Sequence, residues 1–369
     1  MKNQEIKFKS LNHNYSIIIG NNTLNLLPKK IKAICPKTKK IALIIDSKIP
    51  NKFKKAIKTK LKNYDLLVMS FTANEKNKSF KKVNFYLDKI LKKNFNRSDL
   101  IISMGGGITG DVTGFIASIF KRGINFINVP TTLLAQVDSA VGGKTGVNSN
   151  YGKNLIGSFY QPKLVIADVT LLNSLPHREI VCGYAEVLKH SLILENNFFN
   201  WLAINSKNII IKKNLDVIQQ AITKSCKIKL FYVNKDTHEK NLRMILNFGH
   251  TFAHAIEVQN KYSKKLNHGE AVIIGMMMAI KLSHIKKICS TQTMNKVLQV
   301  YRKNKFNYKI ENFFKKNEYN KIIKHMLNDK KNNDKKLNLI LLKEVGKTTT
   351  PNKYKMTTSE LEKIFYRII

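Results

Sequence analysis

The sequence predicts an α/β N-terminal domain with a Rossmann-like, mostly parallel sheet, followed by a mainly α-helical C-terminal domain. A chain of 369 residues exceeds the usual size of one hydrophobic core, which indicates two domains. In the first half, short runs rich in Ile, Val and Leu alternate with amphipathic stretches, as in a parallel sheet covered by helices. After Pro176 and His177, long helical periods predominate. We therefore predict domains over residues 1–177 and 178–369.

The pattern assigns individual elements in both domains. The predicted strands are Tyr15–Ile19, Lys40–Asp46, Asp65–Phe71, Asp99–Met104, Asn125–Val129, Leu164–Asp168 and an isolated Leu337–Leu342. The predicted helices are Lys52–Leu61, Val83–Lys92, Glu179–Leu194, Asn214–Val233, Leu242–Val258, Gly269–Lys287 and Thr358–Tyr366. We interpret Tyr301–Lys336, which is rich in Lys and Asn, as helices and loops.

A formal charge of +41 would ordinarily indicate nucleic acid or an anionic membrane as a partner. Only six of the 65 basic residues are arginine, however, and the lysines are scattered among Asn and Ile. Residues that read phosphates and bases favour the bidentate fork of Arg, so we expect a solvated lysine surface and no specific nucleic-acid partner. We also expect no membrane partner and a cytoplasmic location, because the longest apolar run, Ala271–Ile280, is too short to cross a bilayer.

A glycine-rich turn follows the strand predicted to end at Met104. Gly105, Gly107 and Gly110 have the G-x-G-x-x-G spacing, in which missing side chains let a pyrophosphate approach the N-terminus of a helix. A simple tight turn would need glycine as well. The acidic residue that usually follows about 20 positions later is absent, but Asp46 ends an earlier strand and could hold the ribose.

A second glycine-punctuated segment runs from Asp138 to Asn154. Lys144 and Lys153 can neutralise phosphate there, and Asp138 can accept hydrogen bonds from sugar hydroxyls. The segment predicts a loop for a phosphorylated, hydroxyl-rich ligand, although a flexible basic surface loop has the same composition. It lacks the leading glycine of a Walker loop.

Polar residues recur at helical spacing in the second domain. Arg243, Asn247, His250, His254 and Glu257 are spaced 4, 3, 4 and 3, which would place them on one face of a helix. Such residues are rarely buried unless they are paired or bind a metal or an anion, while a solvated face is the simpler interpretation.

A carboxylate could join two of the histidines around a metal. Glu186, three residues before Lys189 on a predicted helix, would complete a two-histidine, one-carboxylate set with His250 and His268. The spacing equally permits His250 and His254 to be the histidine pair, and Glu186 and Lys189 could instead form a surface ion pair.

Taken in order, these motifs closely resemble the 3-dehydroquinate synthase family over roughly residues 40–345. The segments that carry the resemblance are Gly105–Asp111, Lys121–Gly123, Val129–Asn148, Gly152–Asn154, Ala185–Lys189, Asn247–Glu257 and His268–Val272.

The resemblance implies an NAD-dependent, zinc-requiring lyase of the shikimate pathway that acts as a homodimer, with cobalt as an alternative metal. It would convert 3-deoxy-D-arabino-heptulosonate 7-phosphate to 3-dehydroquinate and phosphate by transient oxidation, elimination, re-reduction and aldol closure. The metal ligands that it implies are Glu186, His250 and His268, and not His254. The implied NAD contacts are Asp46, Glu75, Lys78, Gly106, Gly107, Asp111, Thr131, Thr132, Lys144, Lys153 and the stretch from Leu171 to Ser174.

The resemblance also implies contacts with a phosphorylated sugar acid. Those with the phosphate are Lys144, Asn154, Asn247, His254, Lys330 and Arg122, the last from a neighbouring subunit. Lys229 and Arg243 would hold the carboxylate, and Asp138 and Lys189 the ring hydroxyls.

The chain departs from the family pattern at two places. Asn74 stands where the family usually has glycine, and Asp236–Arg243 differs from the usual acidic and arginine-rich version of that motif. Asn tolerates positive φ better than most residues, so the first change would weaken NAD affinity only if that conformation is required.

Three other functions compete with this interpretation. Another sugar-phosphate cyclase of the same fold is the nearest, but Lys229 and Arg243 favour a substrate with a carboxylate. An iron- or zinc-dependent alcohol dehydrogenase would not need so many phosphate-binding cations, and it would accumulate NADH. Charge alone suggests a nucleic-acid-binding protein.

Overall fold

The computed structural model of the chain describes residues 2–9, 13–327 and 336–369. The first half contains strands and helices in the order β1 (Gln4–Lys9), β2 (Asn14–Gly20), α1 (Leu27–Ile34), β3 (Lys40–Asp46), α2 (Asn51–Lys60), β4 (Asp65–Phe71), α3 (Phe80–Lys92), β5 (Leu100–Gly105), α4 (Gly107–Ile119), β6 (Asn125–Pro130), β7 (Lys144–Ser149), β8 (Gly152–Phe159) and β9 (Leu164–Asp168). The remainder contains α5 (His177–Leu194), α6 (Asn196–Ile210), α7 (Leu215–Lys235), α8 (His250–Gln259), α9 (His268–Ile285), α10 (Thr291–Lys303), α11 (Tyr319–Leu327), β10 (Lys336–Asn338), β11 (Leu342–Glu344), β12 (Lys347–Thr348), β13 (Lys355–Thr357) and α12 (Thr358–Ile368).

The described chain forms two compact units. The first comprises residues up to Ile180 together with Lys213–Leu230, and the second comprises Val181–Lys212 and Phe231–Ile369. The segment Lys213–Leu230 thus lies in the first unit, although its helical periodicity resembles that of the second half of the chain. A bilayer-spanning helix is absent from the described part of the chain, in which each helix is too short or too polar.

A seven-stranded sheet organises the first unit, in the order β1-β2-β9-β6-β5-β3-β4. Its strands are parallel except for β1, which pairs antiparallel with β2. Side chains of β3 alternate between two hydrophobic clusters: Ile41, Leu43 and Ile45 pack with α1 and α2, and Ala42 and Ile44 with α3 and α4. Burial on both faces explains why β3, β5 and β9 are continuous apolar runs. The predicted fold class and six predicted strands of this unit are confirmed.

The order in which successive strands are added to the sheet reverses between β3 and β5. Strand β3 pairs with β4 on one side and with β5 on the other, so the connections that leave β3 and β5 diverge at the carboxyl edge. Such a switch point is where open α/β sheets bind ligands. Asp46 and Gly105, the last residues of β3 and β5, both lie at this edge.

Helices α8 and α9 pack against each other in the second unit. The predicted single helix Leu242–Val258 is wrong, because a 3₁₀ turn over Leu242–Asn247 ends before Gly249, whose φ of 76° lies in the left-handed region. A Cβ on Gly249 would lie 2.7 Å from the backbone nitrogen of Met276, so the close approach of α9 requires glycine here.

The predicted strand Leu337–Leu342 is also wrong as one element. It is divided between β10, which pairs with β13, and β11, which pairs with β12. Both pairings are local and antiparallel. The apolar run therefore reflects burial of Leu337, Leu339, Leu341 and Leu342 and not one continuous ladder.

Candidate functional site

The glycine-rich turn of the first unit joins β5 directly to α4. Gly106 precedes the first helical residue, Gly107, so the free N–H groups of a 13-residue helix begin at this turn. A Cβ on Gly107 would lie 2.9 Å from Oγ of Ser139, and one on Gly105 would lie 2.5 Å from the Thr109 side chain. The turn therefore has the backbone access and helix dipole that suit an anionic ligand.

Other predicted cofactor contacts gather at the same carboxyl edge. Asp46 ends β3, and its Oδ1 accepts a hydrogen bond from the Lys48 amide at 3.1 Å. The Thr131 amide, just after β6, donates to the Gly105 carbonyl at 2.9 Å. The remaining members, in the turns after β6 and β9, are Thr132, Leu171 and Ser174.

A buried lysine links three predicted site residues of the first unit. Nζ of Lys78 lies 2.6 Å from Oδ2 of Asp111 and 2.5 Å from Oδ1 of Asn154. Burial raises the pKa of Asp111 above its ordinary value, although the charge of Lys78 opposes this shift. Nearby, Lys153 pairs with Glu75 at 2.8 Å. These contacts hold the loop before α3 against the segment Lys144–Phe159.

The predicted loop from Asp138 to Asn154 is wrong as secondary structure, because β7 and β8 form an antiparallel hairpin there. A Cβ on Gly157 would lie 2.2 Å from the Thr145 carbonyl oxygen, so glycine permits the pairing. The exposed Lys144 begins β7. Asp138 precedes the hairpin, in a π-helical turn, and its Oδ1 accepts a hydrogen bond from Nζ of Lys229 at 2.6 Å.

Three potential metal ligands converge in the second unit. Glu186 on α5, His250 at the start of α8 and His268 at the start of α9 offer ligand atoms that all lie within 4.8 Å of one another. Oε1 of Glu186 is 3.4 Å from Nε2 of His250 and 3.6 Å from Nε2 of His268. The carboxylate is fully buried and also contacts the ammonium of Lys189.

The second nitrogen of each imidazole has its own partner. Nδ1 of His250 lies 3.2 Å from the Phe248 carbonyl oxygen, and Nδ1 of His268 lies 3.3 Å from Oε2 of Glu257. Both Nε2 atoms therefore face Glu186. This is the arrangement of protein metal sites, where a carbonyl or carboxylate fixes the ring of each histidine ligand.

Burial and neighbouring charges set the protonation of the three potential ligands. Burial opposes the charged form of Glu186, but Lys189 and the two imidazoles outweigh it and hold the pKa of Glu186 well below its ordinary value. Burial and Lys189 lower the pKa of His250 to about 4, so this ring is neutral at pH 7. Burial also disfavours charge on His268, but Glu257 and Glu186 raise its pKa to about 10. A metal that binds His268 must therefore displace a proton.

The predicted substrate residues of the second unit flank this cluster along the chain. Arg243 is buried, and its guanidinium donates to the Thr237 carbonyl at 2.6 Å. The Asn247 amide donates to Oε1 of Glu239 at 2.8 Å. The His254 ring lies 5.4 Å from that of His250, centroid to centroid, on the next turn of α8.

Two predicted residues are not joined to these groups. Arg122 lies in the exposed turn after α4, with a φ of 64°, at the end of that helix opposite to Gly107. Lys330 lies outside the described residues.

Sequence reasoning missed several residues that support the site. Asp236 accepts hydrogen bonds from the amides of Lys240, Asn241 and Arg243 at 2.7–3.1 Å, which fixes the approach to Arg243. Asn148 donates to Oε2 of Glu75 at 2.8 Å and accepts from the Asn154 amide at 3.1 Å. Asp236 accepts from amides four to seven residues further on, beyond the reach of an Asx turn, and the contacts of Asn148 depend on the hairpin, so no local sequence pattern marks either residue.

Comparison with known proteins gives consistent matches. The family model described as 3-dehydroquinate synthase N-terminal matches residues 68–182, and the one described as 3-dehydroquinate synthase C-terminal matches residues 183–332. A 3-dehydroquinate synthase from Pelagibacter ubique is 50% identical over 342 residues, which are 93% of each chain. The structure of a 2-deoxy-scyllo-inosose synthase complexed with carbaglucose-6-phosphate, NAD+ and Co2+ superposes with a TM-score of 0.85 at 26% identity, covering 98% of this chain and 99% of that one. A 2-epi-5-epi-valiolone synthase from Streptomyces hygroscopicus, with NAD+ and Zn2+ bound, shares the fold at a TM-score of 0.83 and 22% identity, covering 100% and 99%.

Proposed function

We propose, because this chain belongs to the 3-dehydroquinate synthase family, that it converts 3-deoxy-D-arabino-heptulosonate 7-phosphate to 3-dehydroquinate and inorganic phosphate. The structural observation that carries the proposal is the cluster of Glu186, His250 and His268 with both imidazoles oriented toward the carboxylate. A Lewis-acid metal held there, beside a nicotinamide cofactor, would promote the oxidation and re-reduction of a secondary alcohol.

The cluster fits Zn2+ or Co2+. One carboxylate oxygen and two imidazole nitrogens are the ligand types and number of a catalytic zinc site, which keeps a position open for a substrate oxygen. When bound, the metal would polarise a secondary hydroxyl of the substrate and NAD would accept hydride from that carbon. Lys189, which pairs with Glu186, would hold a neighbouring hydroxyl of the substrate in this proposal.

The first unit fits NAD. The glycine turn at the N-terminus of α4 suits the pyrophosphate, and Asp46 stands across the switch point, where it can accept hydrogen bonds from a ribose. Asn74 has its side chain in a hydrogen bond to the Asn77 amide at 2.8 Å, and its φ is not positive. The departure from glycine at this position therefore needs no strained backbone, and we expect NAD binding to tolerate it.

Each unit also supplies groups suited to the substrate. In the first, the Lys229 ammonium donates to the carbonyl and carboxylate oxygens of Asp138, and in this proposal it would also bind the substrate carboxylate. Lys144 and Asn154 would bind phosphate. In the second, Arg243 offers a bidentate grip for a carboxylate, and Asn247 and His254 would bind phosphate.

Another sugar-phosphate cyclase activity is the alternative that the structural neighbours favour. Two buried cations, Lys229 and Arg243, favour the heptulosonate, because an aldose phosphate has no carboxylate for them to bind. The identity of 50% to a 3-dehydroquinate synthase, against 26% to the inosose synthase, points the same way.

We further propose that the enzyme is a homodimer. Arg122 is exposed in the turn after α4, at the end of that helix opposite to the glycine turn, and its phosphate contact would be made in a second copy of the chain. A mass measurement in solution tests this, and a monomer that turns over would contradict it. The cytoplasmic location stays a prediction.

One assay tests the main proposal. The purified chain is incubated with the heptulosonate phosphate, NAD and Zn2+, and the release of phosphate and of dehydroquinate is followed together with NADH absorbance. We expect equal amounts of both products and no net NADH. Accumulating NADH would indicate a dehydrogenase, and turnover of glucose 6-phosphate in preference to the acid would favour the alternative cyclase.

A further inference from the structure

We propose that Glu257 is a positioning residue, which holds the His268 ring in the orientation and tautomer that metal binding requires. The inference rests on the proposed metal-dependent function and assigns a role to a residue outside the proposed metal ligands and substrate contacts.

The geometry places His268 between two carboxylates. Oε2 of Glu257 is 3.3 Å from Nδ1, and Oε1 of Glu186 is 3.6 Å from Nε2 on the other side of the ring. When Glu257 accepts a hydrogen bond from Nδ1–H, the lone pair of the neutral ring is left on Nε2. That nitrogen is the one that faces Glu186 and His250.

The fold holds Glu257 at the correct side of its helix. Glu257 follows His250 by seven residues on α8, which is two helical turns and therefore the same face. Its side chain is only 12% exposed, so the hydrogen bond to His268 is little weakened by water. One helix thus supplies a metal ligand and the support for another ligand.

The two histidines differ in how easily their support can be removed. Nδ1 of His250 faces a backbone carbonyl, that of Phe248, which no substitution deletes. His268 begins α9, where the Asn267 capping box with Glu270 fixes the backbone, but its ring is held from Nδ1 by a side chain. Substitution of Glu257 should therefore loosen the ring without unwinding the helix.

The test measures metal affinity, which does not depend on turnover. The full-length protein is stripped of metal, and Zn2+ is titrated in competition with a chromophoric chelator for the wild type, Glu257→Ala, Glu257→Gln and the control Gln259→Ala. Gln259, on the same helix, contacts Glu318 and His325 instead. We expect Glu257→Ala to weaken Zn2+ binding by about 10- to 100-fold, Glu257→Gln to lose less, and the control to bind as the wild type does.

Co2+ gives a second readout. The absorption bands of bound Co2+ should change in Glu257→Ala and return toward those of the wild type in Glu257→Gln, which a purely structural role would not produce. Affinity of Glu257→Ala within about threefold of the wild type would overturn the proposal. If Glu257→Ala does not fold, Glu257→Leu, which keeps a similar volume but accepts no hydrogen bond, replaces it: wild-type affinity and spectrum of Glu257→Leu overturn the proposal, and weakened binding at unchanged melting temperature supports it. Tight Zn2+ binding by a wild type that fails to release phosphate would refute the proposed function and leave this inference standing.

Discussion

The histidine spacing allows two candidate ligand sets, one with His254 and one with His268. The structure favours the set with His268, because its ligand atoms lie close together. His250 and His254 share a face of α8, but a group of potential ligands whose atoms lie within 4.8 Å of one another contains Glu186, His250 and His268 and leaves out His254. His268 is the first residue of α9 and His250 the first of α8, so the two rings lie side by side only because α8 packs against α9. Spacing along the chain reports only neighbours on one element.

Substitution of the two histidines should therefore have different effects. We expect His268→Ala to lose metal affinity by more than about 100-fold, because it removes a ligand, and to lose turnover with it. His254→Ala should bind metal normally and raise KM for the phosphorylated substrate. Metal content by atomic emission after dialysis, with steady-state kinetics, distinguishes the two.

His284, at the opposite end of α9, provides the matched control, and His284→Ala should keep both metal and turnover. Metal retention and full activity in His268→Ala would show that the ligand assignment is wrong. Metal loss in His254→Ala would restore the shared ligation that the sequence left open.

At the scale of elements, buried strands were the most predictable feature and glycine-dependent contacts the least. Strands β3, β5 and β9 are buried along nearly their whole length, which makes them visible as apolar runs in the sequence. The hairpin β7–β8 is mostly polar and partly exposed, and it forms because Gly146 and Gly157 let its backbones approach. The hairpin lacks the alternation of apolar and polar residues by which strands are predicted, so the sequence predicted a loop.

The break before α8 has the same origin. Gly249 and Gly275 lie against each other, and a Cβ on Gly275 would be 2.3 Å from the Gly249 carbonyl oxygen. The helical period from Leu242 to Val258 reflects which residues are buried. The left-handed backbone conformation of Gly249 interrupts it and divides the segment into a 3₁₀ turn and α8. The His250 ring owes its position to this division, because its Nδ1 faces the carbonyl of Phe248, the residue before the break.

Gly249→Ala should therefore be strongly destabilising. A non-glycine residue in the left-handed region and a contact of 2.7 Å with the Met276 backbone together predict a loss of at least about 2 kcal/mol in the free energy of unfolding. Denaturant unfolding can be followed by the fluorescence of Trp201, the only tryptophan, which lies on α6 in the same unit. The control Thr251→Ala, at a half-buried position of α8, should change stability by less than about 0.5 kcal/mol. A Gly249→Ala protein as stable as the wild type would contradict this account of the break.

For the whole molecule, the division of the chain into two compact units was the feature hardest to predict from the sequence. Lys213–Leu230 belongs to the first unit and contains Lys229, which pairs there with Asp138. Helical periodicity identifies α7 but contains no information about which core its buried face joins, because that depends on contacts distant in sequence. The site residues divide in the same way, since the proposed NAD contacts lie in the first unit and the proposed metal ligands in the second.

This division predicts that the two cofactors stabilise different parts of the chain. A ligand at 100 times its Kd stabilises the state that binds it by about 2.7 kcal/mol, so amides that exchange by opening of that unit should slow by about 100-fold. In hydrogen exchange with the metal-free protein, NAD alone should protect peptides from β3, the glycine turn and α4. Zn2+ alone should protect peptides from α5 and from the starts of α8 and α9, where its proposed ligands lie. Each ligand is added separately, so its effect can be assigned. If NAD protected the α8 and α9 peptides and not those of β3 and α4, the assignment of the NAD site to the first unit would be wrong.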